Sequence, residues 1–197
     1  KRKMKDVQKW IDSGRVGRKP HTCVVATMIS KNTFDIIESV SKSRTLTTIV
    51  KQKDTDEKFG ITNVHLEAAH KEDVDDMHVK HLESLQRFLQ ERPMPHVICG
   101  DFNNFPNTPP LQYLTEQGYT RWGGHGAPDR SLVGYADGIS QATFLYFGRQ
   151  ESIDHLFASS QFHVDKIQWT VVKNLPIPNK EHPSDHIALS YNIRLKK

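Results

Sequence analysis

Apolar runs are short throughout this 197-residue chain, and their absence excludes a helical membrane protein at once. The longest, such as Cys23-Val24-Val25-Ala26, fall far short of the roughly 20 residues that a bilayer core demands. No positively charged, apolar, small-residue leader marks a secretory signal either. Cysteine is equally scarce. The two present, Cys23 and Cys99, lie in apolar strand-like runs and not in a spaced framework, so they read as reduced, buried thiols of an intracellular compartment. Structural zinc is excluded on the same ground. Aromatic residues do not interleave with the basic residues of the first twenty positions, Trp10 excepted, so no stacking platform for bases is legible there.

What is present suits one globular domain, with 36% hydrophobic and 25% charged residues. Charge is unevenly placed. Residues 1–20 carry eight basic and two acidic side chains, whereas the remainder carries 19 basic against 21 acidic. A nearly neutral body therefore follows a basic leader at residues 1–18, with the domain proper expected over 19–197. Such a leader can hold a phosphate backbone by releasing its counterions, or can be a solvated face.

Strands and helices alternate along the chain. Thr22–Ile29, Phe34–Val40 and Thr45–Val50 are rich in β-branched residues and separated by turn residues, as in an antiparallel meander, and Gly60–Val64 is the next expected strand. Met77, Leu82, Leu85, Phe88 and Leu89 follow helical spacing over Asp76–Glu91, and Pro93 stops that helix. His96–Cys99 predicts a short buried strand, Pro106–Pro110 a turn, and Leu111–Glu116 a short helix ended by Gly118. A Gly-rich stretch from Trp122 to Ala142 reads as a surface loop. Final strands are expected at Ile153–Ala158, Val164–Val172 and His186–Ile193.

Polar groups recur at the ends of these strands. His65 follows Gly60–Val64, Asp101 and Asn103 follow His96–Cys99, Asp154 opens Ile153–Ala158, and Asp185-His186 opens the last strand. Groups so placed converge on one sheet edge, where rigid strands present them to a ligand. Carboxylates, carboxamides and imidazoles in that number suit phosphodiester hydrolysis, which must deprotonate water, neutralise the phosphoryl oxygens and release an alkoxide. Imidazole is the natural base near neutral pH when a carboxylate fixes its tautomer, so His186 is assigned as base and Asp154 as its orienting carboxylate. Asp185 and a partner acid would hold a hard divalent ion such as magnesium. Asp101 and Asn103 would align water and donate to a phosphoryl oxygen, and His65 would donate to the phosphate. His70, His78, His81 and His125 have no such context and are expected at the surface.

The ordered series Asn63-Val64-His65-Leu66, Gly100-Asp101-Phe102-Asn103, Ile153-Asp154-His155 and Ser184-Asp185-His186 resembles the endonuclease/exonuclease/phosphatase superfamily of magnesium-dependent phosphodiesterases. Asn104-Phe105-Pro106-Asn107-Thr108-Pro109 with Tyr113-Leu114, Leu175-Pro176 ahead of Pro183, and Lys19-Pro20-His21-Thr22-Cys23 are similar to the branch of carbon-catabolite-repressor-type deadenylases, nocturnin, the angel proteins and 2′-phosphodiesterase. The resemblance implies a four-layer α/β sandwich, two mainly antiparallel sheets flanked by helices. It also implies Mg2+, or Mn2+ in its place, substrate binding at Asn63, and an RNA partner. The family's metal-binding glutamate lies well upstream of these motifs, yet no glutamate precedes Glu38. The chain is therefore expected to hold the C-terminal two-thirds of such a domain, completed by a segment ahead of Lys1 or by a partner chain. Three readings follow: a 3′-end exoribonuclease, a catalytically weak scaffold that keeps the fold for binding, and a phosphoesterase of lipid or small-molecule phosphates.

Overall fold

β-Branched and aromatic residues settle where the strands form. The computed structural model describes residues 25–42, 44–68, 74–122, 144–146, 149–169, 180, 184–186 and 188–196. In chain order its elements are β1 (Phe34–Lys42), β2 (Thr45–Gln52), β3 (Lys58–His65), α1 (Val74–Gln90), β4 (His96–Asp101) and α2 (Pro109–Glu116). They continue with β5 (Thr120–Trp122), β6 (Phe144–Tyr146), β7 (Arg149–Glu151), β8 (Asp154–Ala158), β9 (Phe162–Trp169) and β10 (Leu189–Leu195).

Six strands form one sheet in the order β1-β2-β3-β4-β8-β5. β1, β2 and β3 form an antiparallel meander that takes in two of the three strands expected in it and the next expected strand, and a bulge between Ile36 and Glu38 breaks the register of the edge strand β1. β3 and β4 run parallel, so the chain must cross over between them, and α1 makes that crossover. β8 then lies antiparallel to both β4 and β5. β9 and β10 pair as a second, antiparallel sheet, and β6 and β7 as a short hairpin.

Each face of the larger sheet has its own core. On one side Leu82, Leu85, Phe88 and Leu89 of α1 and Leu111 and Leu114 of α2 pack on Val64, Ile98, Phe102 and Phe157. Burying each such side chain stabilises the fold by about 1.5–3 kcal/mol, which far exceeds helix propensity and explains why α1 forms despite its charged outer face. On the other side Val97, Leu156 and Ala158 meet Phe162 and Val164 of β9, with Ile193 and Leu195 of β10 half-buried against them. That second core is thinner. An apolar cleft of about 510 Å3, lined by Phe34, Phe59, Ile61 and Ile193 among others, remains between the two sheets. The architecture is thus the expected α/β sandwich; besides the β6–β7 hairpin, two sheets and one helical layer are present among the described residues.

Some boundaries differ from expectation. The described part of the strand expected at Thr22–Ile29, from Val25 on, is irregular, and the Ala26 carbonyl accepts from the Asn63 side chain at 2.8 Å instead of from a strand. The last strand begins at Leu189, not His186, because His186 turns into the site. β9 starts at Phe162, ahead of the expected Val164, and residues 170–179 lie outside the described residues, as do most of the Trp122–Ala142 loop and the basic leader. No described helix is long and apolar enough to cross a membrane.

Candidate active site

Register alone assembles the centre. Because β3 and β4 are parallel, their C-terminal ends coincide and His65 stands opposite Asp101. Because β8 is antiparallel to β4, its first residue, Asp154, stands opposite Asp101 from the other side. Gly100 permits this close approach. Its φ of +132° is one that other residues rarely adopt, and a Cβ there would lie 2.1 Å from the Val64 carbonyl oxygen.

Beyond Asp101 the chain reverses in a tight Asx turn. The Asn103 amide N–H donates to Asp101 Oδ1 at 2.8 Å, and Asn103 takes a left-handed φ of 49° that asparagine tolerates. The Asn103 side-chain Nδ2 donates to Asp101 Oδ2 at 3.1 Å and to the Leu66 carbonyl at 2.9 Å, so both its hydrogens are engaged. Phe102, fully buried, plugs the turn into the helix-side core.

His186 completes the cluster from outside the large sheet. Its Nδ1 donates to Asp154 Oδ2 at 2.8 Å, which fixes the tautomer and turns Nε2 toward Asp101 Oδ2, 3.8 Å away. His65 Nε2 lies 3.6 Å from that same oxygen. Asp101 Oδ2 therefore sits between two imidazoles, at separations longer than direct hydrogen bonds. Burial raises the Asp101 pKa to about 6, and the neighbouring Asp154 carboxylate adds to that rise. The hydrogen bond to Asp154 raises the proton affinity of His186.

All seven residues singled out in the sequence can be placed. His65, Asp101, Asn103, Asp154 and His186 converge as described. Asn63 lines a recess of about 530 Å3 together with Gly100, Asp154, Ser184, His186 and Tyr191. Asp185 is half-buried beside His186 and adds to the rise in that residue's proton affinity. Asp185, the residue assigned to a hard divalent cation, stands between Ser184 and His186, which both line that recess. Among the described residues, however, no three His, Cys, Asp or Glu side chains form a cage. A hard divalent ion held there would complete its shell with water and a substrate phosphate.

Residues with no obvious motif also matter. His78, expected at the surface, is fully buried, and Asn104 and His155 are buried with it. Burial lowers the His155 pKa to about 4, so that ring is neutral, and its Nε2–H donates to the Asn104 carbonyl at 2.9 Å. The signal for His78 was available: with Leu82, Leu85 and Leu89 it continues the buried stripe of α1 at helical spacing. His81 is half-buried, while His70 and His125 lie outside the described residues. Cys99, expected to be buried, is half-buried, and desolvation raises its thiol pKa to about 11, so the thiol stays protonated near neutral pH.

Residues 7–186 match the model of the Endonuclease/Exonuclease/phosphatase family. No curated protein matches in sequence. Among solved structures the chain is similar to the human nocturnin catalytic domain with bound sulfate, at 18% identity and a TM-score of 0.56, over 83% of this chain and 61% of that one. It is similar also to a mannosyl-6-phosphatase of Bacteroides thetaiotaomicron, at 21% identity and a TM-score of 0.59, over 84% and 68% of the two chains. The 2′,3′-cyclic phosphatase ANGEL2, in complex with adenosine-2′,3′-vanadate, aligns at 17% identity and a TM-score of 0.59, over 92% and 72%. The chain thus spans about three-fifths of the nocturnin catalytic domain.

Proposed function

The chain belongs to the endonuclease/exonuclease/phosphatase family, and from that premise we propose that it is a magnesium-dependent phosphodiesterase acting at RNA 3′ ends. The observation that carries the reading is the Asp154–His186 pair at 2.8 Å, aimed at a carboxylate that itself lies between two imidazoles. Asp154 holds the Nδ1 hydrogen of His186, leaving Nε2 to take a proton from water as a general base. Asp101, with its pKa near neutrality, aligns that water. Asn103 orients Asp101 through its backbone and side-chain N–H groups, and because both side-chain hydrogens are engaged, the donor to the phosphoryl oxygen is His65. Asn63, on the wall of the recess, contacts the substrate. Magnesium, held by Asp185 and a partner acid, would supply charge neutralisation on the phosphate.

Release of nucleotides from a 3′-labelled RNA in magnesium tests this reading on the wild-type chain, Asp185→Ala and His186→Ala. Loss of a base or a metal ligand is expected to lower the rate by about 10²–10⁴-fold. Equal residual activity in all three proteins would sink the catalytic assignment. A binding scaffold is the second reading; tight RNA binding without turnover supports it. Fold likeness to a mannosyl-6-phosphatase makes a sugar phosphate the proper competing substrate in the same assay.

A further inference from the structure

The residue after Asn103 makes three hydrogen bonds to two other elements of the fold. Asn104 is only 3% exposed. Its Oδ1 meets His78 Nδ1 at 2.8 Å and its Nδ2 donates to Asp75 Oδ1 at 3.1 Å, both on α1. Its backbone carbonyl accepts from His155 Nε2 on β8 at 2.9 Å. His78, in turn, donates from Nε2 to the carbonyl of Glu67 at 3.1 Å, just past His65 and Leu66. One buried imidazole–carboxamide pair therefore joins the loop that follows His65, the last residue of β3, to the turn that follows Asp101, the last residue of β4, and carries Asn103.

Other contacts between and around those loops depend on the same geometry: Phe102 N–H donates to the Ile153 carbonyl at 2.9 Å and Arg44 pairs with Glu67 at 3.2 Å. Leu66 N–H donates to the Asp101 carbonyl at 2.9 Å and Asn103 Nδ2 returns to the Leu66 carbonyl, so each loop's geometry is set by the other. A left-handed Asn103 costs strain that its surroundings must offset. The Glu67 carbonyl can only accept, so Nε2 of His78 carries a hydrogen. Nδ1 carries a second when it faces Oδ1 of Asn104, and burial opposes that second proton. With the amide reversed, a neutral ring accepts from the Asn104 NH2 instead and the Asp75 contact is given up. The two loops stay joined in either state.

We propose that His78 and Asn104 are positioning residues for the phosphoester-hydrolysing centre: a buried clamp that fixes Asp101 and Asn103 against His65 without touching substrate. The inference rests on the function proposed above, and its test separates the two. Wild type, Asn104→Ala, the milder Asn104→Ser, His78→Leu and His78→Gln are compared by backbone hydrogen exchange at 65–67 and 101–105, thermal unfolding, and hydrolysis of bis(4-nitrophenyl) phosphate and 3′-labelled RNA in magnesium. Exchange in those two loops is expected to quicken at least about tenfold in Asn104→Ala and His78→Leu while β2 and β3 keep their protection. kcat is expected to fall by about 10²-fold, the order that a displacement near 1 Å produces, with KM nearly unchanged. His78→Gln, which keeps a donor for Glu67, should recover part of both. Unchanged loop exchange in variants that remain folded overturns the clamp whether or not the wild type turns over either substrate. Faster exchange with wild-type kcat overturns it as well, and so does loss of kcat that merely tracks the unfolded fraction. If Asn104→Ala does not fold, the same readouts on Asn104→Ser and His78→Gln decide.

Discussion

His155 occupies a place where a neutral, hydrogen-donating ring is required and a charged one is costly. It is 1% exposed, its Nε2–H serves the Asn104 carbonyl, and burial holds its pKa at about 4. In the unfolded chain a histidine takes its proton near pH 6.5. Between those values the unfolded state binds more protons than the folded one, so stability rises with pH across that window and is lost as pH falls through it. The loss from this residue is about 3 kcal/mol by pH 4. Burial lowers the pKa of His78 and His96 too, so they act in the same direction. Urea unfolding at pH 7.5 and 4.5 should show a marked fall in stability for wild type and a smaller fall for His155→Gln, which keeps an N–H for Asn104. Equal falls would mean that the ring is not held neutral.

At the scale of elements, the sheet carries its own polar fastening. Thr47 and Thr62, facing each other across β2 and β3 and both buried, share a hydrogen bond of 2.9 Å between their hydroxyls. Replacing one by the isosteric valine leaves the other hydroxyl buried without its partner, at about 1–3 kcal/mol, whereas replacing both removes the penalty with the groups. Thr62→Val and Thr47→Val are therefore each expected to destabilise, and the double variant to recover most of the loss in a thermal or urea unfolding series. Additive losses would show that the pair is not coupled. These strands, like α1 and β4, were legible because β-branched runs and helical spacing record burial directly. β6 and β7 were not, since three-residue strands bury too little to leave a period in the sequence. The centre was legible where groups sit at strand ends, as His65, Asp101 and Asp154 do. Asn104 is not legible, because a second asparagine in a turn usually faces water and only its pairing with α1, distant in sequence, buries it; for His78 the helical stripe is the one available signal.

For the whole molecule, the uneven charge bears on how a polyanion would be captured. The first twenty residues hold a net +6 while the rest of the chain is slightly acidic, so attraction to a polyanion must come mainly from one end of the sequence. The family match starts at residue 7, which leaves Lys1, Arg2, Lys3 and Lys5, with Asp6, outside it. A polynucleotide substrate would engage such a cluster through its phosphates and release about 0.7 counterion per contact along a single strand. Deleting residues 1–6 should then leave hydrolysis of bis(4-nitrophenyl) phosphate intact. The same deletion should weaken RNA binding at low salt and reduce the slope of log affinity against log salt by up to about 3. A sugar phosphate carries too few charges for that slope to exist. An unchanged salt slope on RNA would assign the cluster no part in substrate capture and would move the substrate toward small phosphoesters, whose recognition needs only the recess walled by Asn63, Asp154 and His186.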